Sequence, residues 1–96
     1  AVEEGLIEEL LSPDLTDEFE VIHSTIQPCS AMQKTADRPT QEVGYIVSGK
    51  LDLTIGNRHF TVGPGDSFRC RDEPYHWANP YDEPAVAIWV IAPPVY

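Results

Sequence analysis

Short apolar runs recur along the chain, and polar or turn-forming residues separate them. In residues 51–55, Leu and Ile alternate with Asp and Thr, which is the two-residue period of a strand with one face in water. Residues 18–27 are rich in β-branched side chains, residues 43–47 are mainly apolar, and residues 59–62 follow a Gly-Asn turn signal. Residues 85–91 are almost continuously apolar, which is typical of a strand covered on both faces. The pattern therefore predicts an all-β protein.

Turn-forming residues separate these runs and support the same fold class. Gly49 stands in a tight turn before the strand at 51–55, and Gly-Pro-Gly-Asp at 63–66 turns the chain before a further strand at 67–70. A Pro-Pro pair at 93–94 ends the last strand. Short strands at regular intervals, without an internal repeat, predict a sandwich or a barrel.

The N-terminal segment does not share this clear pattern. The apolar residues within 1–11 have a spacing that fits a helix as well as a strand, and Ser-Pro-Asp then breaks the segment. With 96 residues, the chain is long enough for one hydrophobic core and too short for two. We expect a single domain: residues 1–17 form an N-terminal segment or linker with a possible extra strand, and residues 18–96 form the barrel.

Composition limits the function classes. The formal net charge is -10, so the chain is expected to repel nucleic acid, which normally binds a basic face. The two cysteines, Cys29 and Cys70, are too few for a disulfide scaffold and favour a reduced, cytoplasmic protein. No apolar run reaches the roughly 20 residues of a membrane span, and the N-terminus lacks the layout of a signal peptide. Because the chain begins with Ala1, we expect a fragment with an upstream part.

A two-part motif lies between residues 41 and 79. Glu42 and Gly49 have six residues between them, the turn at 63–66 follows, and His76 stands ten residues after Asp66. This arrangement resembles the signature of the cupin superfamily. The resemblance implies a double-stranded β-helix, the cupin jelly-roll barrel, with a pocket that the family lines with three His and one Glu.

The family's ligand positions are largely replaced in this chain. Counting back from Glu42 with a gap of three residues, the positions of the first two family histidines hold Ala36 and Arg38; with a gap of four, they hold Thr35 and Asp37. Arginine is no metal ligand and its charge opposes a neighbouring cation. We therefore expect no metal or other cofactor; if a divalent metal bound, the resemblance implies Glu42 and His76 as its ligands.

The position of the family's last histidine has two possible occupants. Counting from Gly65 selects His76, whereas counting from Pro74 and Asn79 selects Tyr75. Either residue could face the pocket on this reasoning, and His76 is equally compatible with a surface or a core position.

A ligand site can be predicted from these residues, beside a purely structural alternative. The predicted ligand-binding residues are Arg38, Glu42, Tyr45, His76 and Trp77. In the structural alternative, Glu42 pairs with Arg38 and the aromatic side chains build the core. No nucleophile with its base and no phosphate loop is recognisable, so no catalytic residue is predicted.

The stretches 38–45, 63–68 and 91–94 look like one branch of the superfamily, the C-terminal sensor cupin of bacterial XRE-type helix-turn-helix transcriptional regulators. This resemblance implies a homodimer that senses a small molecule, such as a carboxylate or an amine metabolite, and contacts DNA only through a missing N-terminal domain. Two alternatives remain: a metal-dependent cupin enzyme (a dioxygenase, isomerase or lyase), and a structural dimerisation module without a ligand.

Overall fold

The protein is built from antiparallel strands. A computed structural model of the chain describes residues 5–11, 18–32, 35–36 and 39–93, and every regular element within these ranges is a strand. The strands are β1 (Leu6–Leu10), β2 (Glu20–Ile26), β3 (Ser30–Ala31), β4 (Gln41–Ser48), β5 (Leu51–Ile55), β6 (Arg58–Val62), β7 (Ser67–Arg71), β8 (Tyr75–Asn79) and β9 (Ala85–Ala92). The N-terminal stretch whose pattern fitted either helix or strand thus forms β1.

Two sheets form the barrel. One has five strands in the order β1-β2-β9-β4-β7, and the other has four in the order β3-β8-β5-β6. All strand pairs are antiparallel. This confirms the all-β prediction and the two-sheet architecture that the resemblance implied.

The core lies between the sheets and follows strand alternation. In β5, Leu51, Leu53 and Ile55 are buried while the intervening Asp52 and Thr54 are half-buried, as expected when successive side chains point to opposite faces. The apolar run of β9 is buried at alternate positions only. Its outer positions are half-buried or exposed, so the prediction that both faces of this strand are covered is not met in the single chain.

The turn at 63–66 is tied to β4. Gly65 has a φ of +87°, a conformation that glycine adopts without strain. The Asp66 side chain accepts a hydrogen bond of 2.8 Å from the Gly63 amide, and the Ile46 backbone bonds both to Gly65 and to Asp66. The register of β4 against β9 shifts between Ile46 and Ser48, next to the residue that bonds to this turn.

No helix long and apolar enough to span a bilayer occurs among the residues that the structure describes. Both cysteines are free, Cys29 on the surface and Cys70 in the core.

Candidate functional site

Glu42 lies inside the barrel. Along β4, residues 42, 44 and 46 are buried and residues 41, 43 and 45 are exposed, so alternation directs the Glu42 side chain inward. The residue is 2% exposed. Two hydroxyl groups donate to its carboxylate: Tyr75 to Oε1 at 3.0 Å and Thr40 to Oε2 at 3.1 Å. A buried carboxylate is stable only when such donors replace water, and here they also fix its orientation.

Strand β8 decides which residue stands beside Glu42. Tyr75 and Trp77 are buried and share the inner face, whereas His76 points to the opposite side. The His76 Nε2 lies 2.9 Å from the carbonyl oxygen of Met32. Because a carbonyl only accepts, Nε2 carries the proton in this bond. The structure therefore places Tyr75, and not His76, against Glu42.

An aromatic wall adjoins the carboxylate. Gly44 pairs with Phe68 of β7 on one side and with Trp89 of β9 on the other. A Cβ at Gly44 would lie 2.6 Å from Cε2 of Phe68, so only glycine leaves room for that ring. Phe68 meets Trp89 edge to face with 5.2 Å between ring centroids, and Tyr75 lies 6.3 Å from Trp89. Three aromatic rings thus follow one another towards Glu42.

Trp89 is held by a polar contact at its other end. Its Nε1 donates to the hydroxyl of Ser24 at 2.7 Å, and Ser24 is fully buried. This bond satisfies the indole N–H and fixes the plane of the ring. Thr40, Ser24 and Phe68 were not predicted from the sequence as parts of the site. The signal that could have revealed Phe68 is Gly44, a glycine in the interior of a strand, which often marks close approach of a neighbouring group.

Cys70 is the neighbour of Glu42 on β7. The two residues face each other in register, and Cys70 is 2% exposed. Burial, and then the negative charges of Glu42 and Glu73, raise the pKa of Cys70 from 9.0 to about 12. The group is therefore a neutral thiol at physiological pH and a poor nucleophile.

The other predicted site residues lie elsewhere or outside the described residues. Tyr45 is 48% exposed on the outer face of β4, so the structure separates it from Glu42. Trp77 is 4% exposed and faces inward on β8, two residues from Tyr75. Arg38 and Asp37 lie outside the residues that the structure describes. Of the predicted set, the structure therefore brings Glu42 and Trp77 to the barrel interior.

The donor set around Glu42 does not match the metal site of the signature. Within 5–11, 18–32, 35–36 and 39–93, no group of three or more His, Cys, Asp or Glu side chains is arranged to hold a metal ion. Glu42 meets phenol and hydroxyl donors, and its cysteine neighbour retains its proton. A catalytic zinc site needs three protein ligands, typically His and carboxylate, so the described residues do not fit such a site.

An open cleft lies on the β5–β6 hairpin, apart from Glu42, and Asp52, Thr54, His59 and Thr61 contribute to its lining. Its polar groups bond to one another: Thr61 donates to Asp52 at 3.1 Å, and the Thr54 hydroxyl lies 3.1 Å from Nδ1 of His59. These two cross-strand pairs join β5 to β6 on the outer surface.

Solved structures similar to this chain share its barrel. The cupin domain of an XRE family transcriptional regulator from Enterobacter cloacae superposes with a TM-score of 0.81 at 22% identity, over 96% of this chain and 100% of that one. KdgF from Halomonas sp. gives 0.85 at 13% identity, over 99% and 84%. A sugar phosphate isomerase from a cupin superfamily, from Silicibacter pomeroyi, gives 0.80 at 18%, over 94% and 60%. At these identities the likeness shows the fold alone.

The sequence comparison agrees with the structural one. A search of curated proteins finds no match, but the sequence model of the family described as cupin domain matches residues 22–91, most of the chain. By this match, and by its two antiparallel sheets, the chain belongs to the cupin domain family.

Proposed function

We propose that this chain is the small-molecule-sensing and dimerising domain of a transcriptional regulator whose helix-turn-helix domain lies outside the sequence. The observation that carries the proposal is the buried Glu42 carboxylate, held by Tyr75 and Thr40 beside an aromatic wall. A polar group fixed within largely apolar surroundings is typical of sites that bind small organic molecules. The whole-length likeness to the cupin domain of an XRE family regulator supports the same class, although one fold hosts many functions.

Each side chain then has a defined role. Glu42 accepts a hydrogen bond from an amine or hydroxyl group of the ligand, while Tyr75 and Thr40 keep the carboxylate in position before the ligand arrives. Trp77 contributes apolar surface around the ligand's body. Arg38 stays a predicted partner for an acidic group of the ligand.

The signal would reach DNA by linkage. A ligand that binds one geometry of a homodimer more tightly shifts the population towards it, and this changes the spacing of two attached DNA-binding domains. The net charge of -10 leaves DNA contact to those domains. A cytoplasmic location follows from the same role.

A thermal-shift screen of small amines, hydroxy compounds and carboxylates tests the proposal. A ligand present at about 100 times its Kd stabilises the fold by about 2.7 kcal/mol, which raises the Tm of a domain of this size by roughly 13 °C. Glu42→Gln should abolish the shift. The matched control is His76→Gln, next to Tyr75 on β8 but with its side chain on the opposite face, which should keep the shift. Equal responses of both variants would refute the site, and failure of every compound would support a structural dimerisation module.

The rival is a metal-dependent cupin enzyme, since one similar structure is a sugar phosphate isomerase. Elemental mass spectrometry on untagged protein purified without chelator separates the two. About one equivalent of metal per chain, lost on Glu42→Gln, would support the enzyme and contradict the role assigned to Glu42.

A further inference from the structure

The outer face of the five-stranded sheet is mainly apolar on its middle strands. Alternation directs Val43 and Tyr45 of β4 and Val90 of β9 away from the core, and they are 40%, 48% and 38% exposed. Val43 pairs with Val90, and Tyr45 with Ile88, so these side chains are cross-strand neighbours. On the far side of β9, Val90 also pairs with Val21 of β2, and the apolar surface continues across the middle strands.

The face has room for an interface between two copies of the chain. Five strands spaced about 4.8 Å apart, with about seven residues each at roughly 3.3 Å, give a flat footprint on the order of 20 Å by 20 Å. This footprint is about 400 Å² per partner, which is in the range of the smaller interfaces, below about 600 Å² per partner. Contiguous apolar patches of several hundred Å² on a small protein mark interaction sites.

The two rims of this face carry opposite charges. Glu9 on β1 pairs with His23, which places it on the outer side of one edge strand. Arg69 on β7 pairs with Val43, which places it on the outer side of the other edge strand. Both residues are exposed, and neither forms an ion pair with another residue that the structure describes. Four strand spacings, about 19 Å, separate them, so they do not attract each other within one chain.

We propose that a second copy of this chain covers the face, with the two-fold axis parallel to the strands of the sheet. Rotation about such an axis reverses the strand order and lays β1 of one copy against β7 of the other. Glu9 of each copy then lies near Arg69 of the second copy, twice per dimer. Val90, on the central strand β9, lies near the axis and packs against its own equivalent.

The alternative two-fold arrangement is electrostatically worse. An axis perpendicular to the strands lays β1 against β1 and β7 against β7, so that each rim meets a rim of the same charge. Opposed like charges disfavour association, and each chain already carries a formal charge of -10. With the axis parallel to the strands, Glu9 of one copy attracts Arg69 of the other. This attraction offsets part of the repulsion between the two acidic chains. The inference rests on the homodimeric state proposed above and holds whether or not the barrel binds a ligand.

A substitution at the centre tests the face. Val90→Glu puts two carboxylates opposite each other in the dimer, yet its side chain is solvent-accessible in the single chain. Loss of a central contact of this kind raises Kd by at least about 30-fold. The matched control is Phe60→Glu on β6, which adds the same charge at a residue 43% exposed outside this face. Sedimentation equilibrium should show a dimer for the natural chain and Phe60→Glu, and a monomer of unchanged near-ultraviolet circular dichroism for Val90→Glu.

A charge-reversal cycle tests the orientation. Glu9→Arg and Arg69→Glu should each raise the dimer Kd by about 5-fold, and the double variant should restore it to within about 2-fold. Glu9→Arg makes the chain less acidic, so its effect on net charge alone would strengthen the dimer. If this variant instead weakens the dimer, the cause is the loss of the pair between Glu9 and Arg69. Because the two residues are too far apart to interact within one chain, rescue must arise between chains.

The outcomes separate this inference from the sensing role. A monomeric natural chain, or a dimer that survives Val90→Glu, overturns the proposed face; failure of the double variant to rescue overturns the orientation. A ligand that stabilises the monomeric Val90→Glu variant would show that the barrel site stands independently.

Discussion

Replacing Tyr75 with Phe removes one hydroxyl from the barrel interior and changes little in the shape of the side chain. Tyr75 is 7% exposed and Glu42 is 2% exposed, so water cannot easily replace the lost donor at Oε1. A hydrogen bond to a charged group contributes about 1.5–3 kcal/mol. We expect Tyr75→Phe to lower the free energy of unfolding by about 2 kcal/mol, which corresponds to a Tm lower by roughly 10 °C for a domain of this size.

The assay is urea denaturation of single and double variants. Tyr81→Phe is the matched control. The Tyr81 hydroxyl donates to Asp52 at 2.6 Å, but Tyr81 is only half-buried, so water can replace the lost donor. This control should lose less than about 1 kcal/mol. In a cycle with Glu42→Gln, the coupling between residues 75 and 42 should reach about 1–2 kcal/mol.

Two results would refute this reasoning. A coupling energy near zero would mean that the 3.0 Å contact contributes nothing, and Glu42 would then not be held in place by Tyr75. Equal losses for Tyr75→Phe and Tyr81→Phe would mean that burial does not set the cost of removing the donor.

Three further predictions concern Gly44 and the two cysteines. Gly44→Ala should destabilise the fold by about 1–3 kcal/mol in thermal unfolding, because its Cβ overlaps the ring of Phe68; combining it with Phe68→Leu should recover part of the loss, and an additive double variant would contradict the overlap. Cys29 should react with a thiol reagent in the native protein while Cys70 stays protected. Because the folded state raises the pKa of Cys70 from 9.0 to about 12, the unfolded chain releases this proton first, and stability should fall above pH 9 by up to about 1.4 kcal/mol per pH unit. The Cys70→Ala variant should lack this loss of stability above pH 9. If its stability depends on pH in the same way as that of the natural chain, the raised pKa of Cys70 is refuted.

Local pattern alone was enough for most of the strands and their turns, but it left β1 open between helix and strand and did not predict β3 or β8. The alternation in residues 51–55 predicted β5, and Gly-Pro-Gly-Asp predicted the turn that Gly65 and Asp66 form. Both rest on interactions between near neighbours in the chain, namely side-chain period and backbone conformation, which sequence expresses directly. The spacing around Glu42 likewise indicated a cupin, and the family match confirms it.

The barrel interior depends on register between distant strands, which sequence spacing does not report. Counting residues could not choose between Tyr75 and His76, because a one-residue difference in a turn reverses every side chain of the following strand. Pairing of β8 with β5 in the folded chain settles that choice and directs Tyr75 to Glu42. Tyr45 was an aromatic candidate for the pocket, yet an odd separation along one strand puts it and Glu42 on opposite faces.

The fold class could be predicted from the sequence, because strand period, turn chemistry and motif spacing are local properties of the chain. Which groups meet depends on how the strands pair in the folded chain. Residues 33 positions apart form the contact between Glu42 and Tyr75, and the apolar outer face exists only once β2, β9 and β4 lie side by side. Such contacts depend on pairing across the sheets, and small shifts in that pairing exchange the inner and outer faces of a strand.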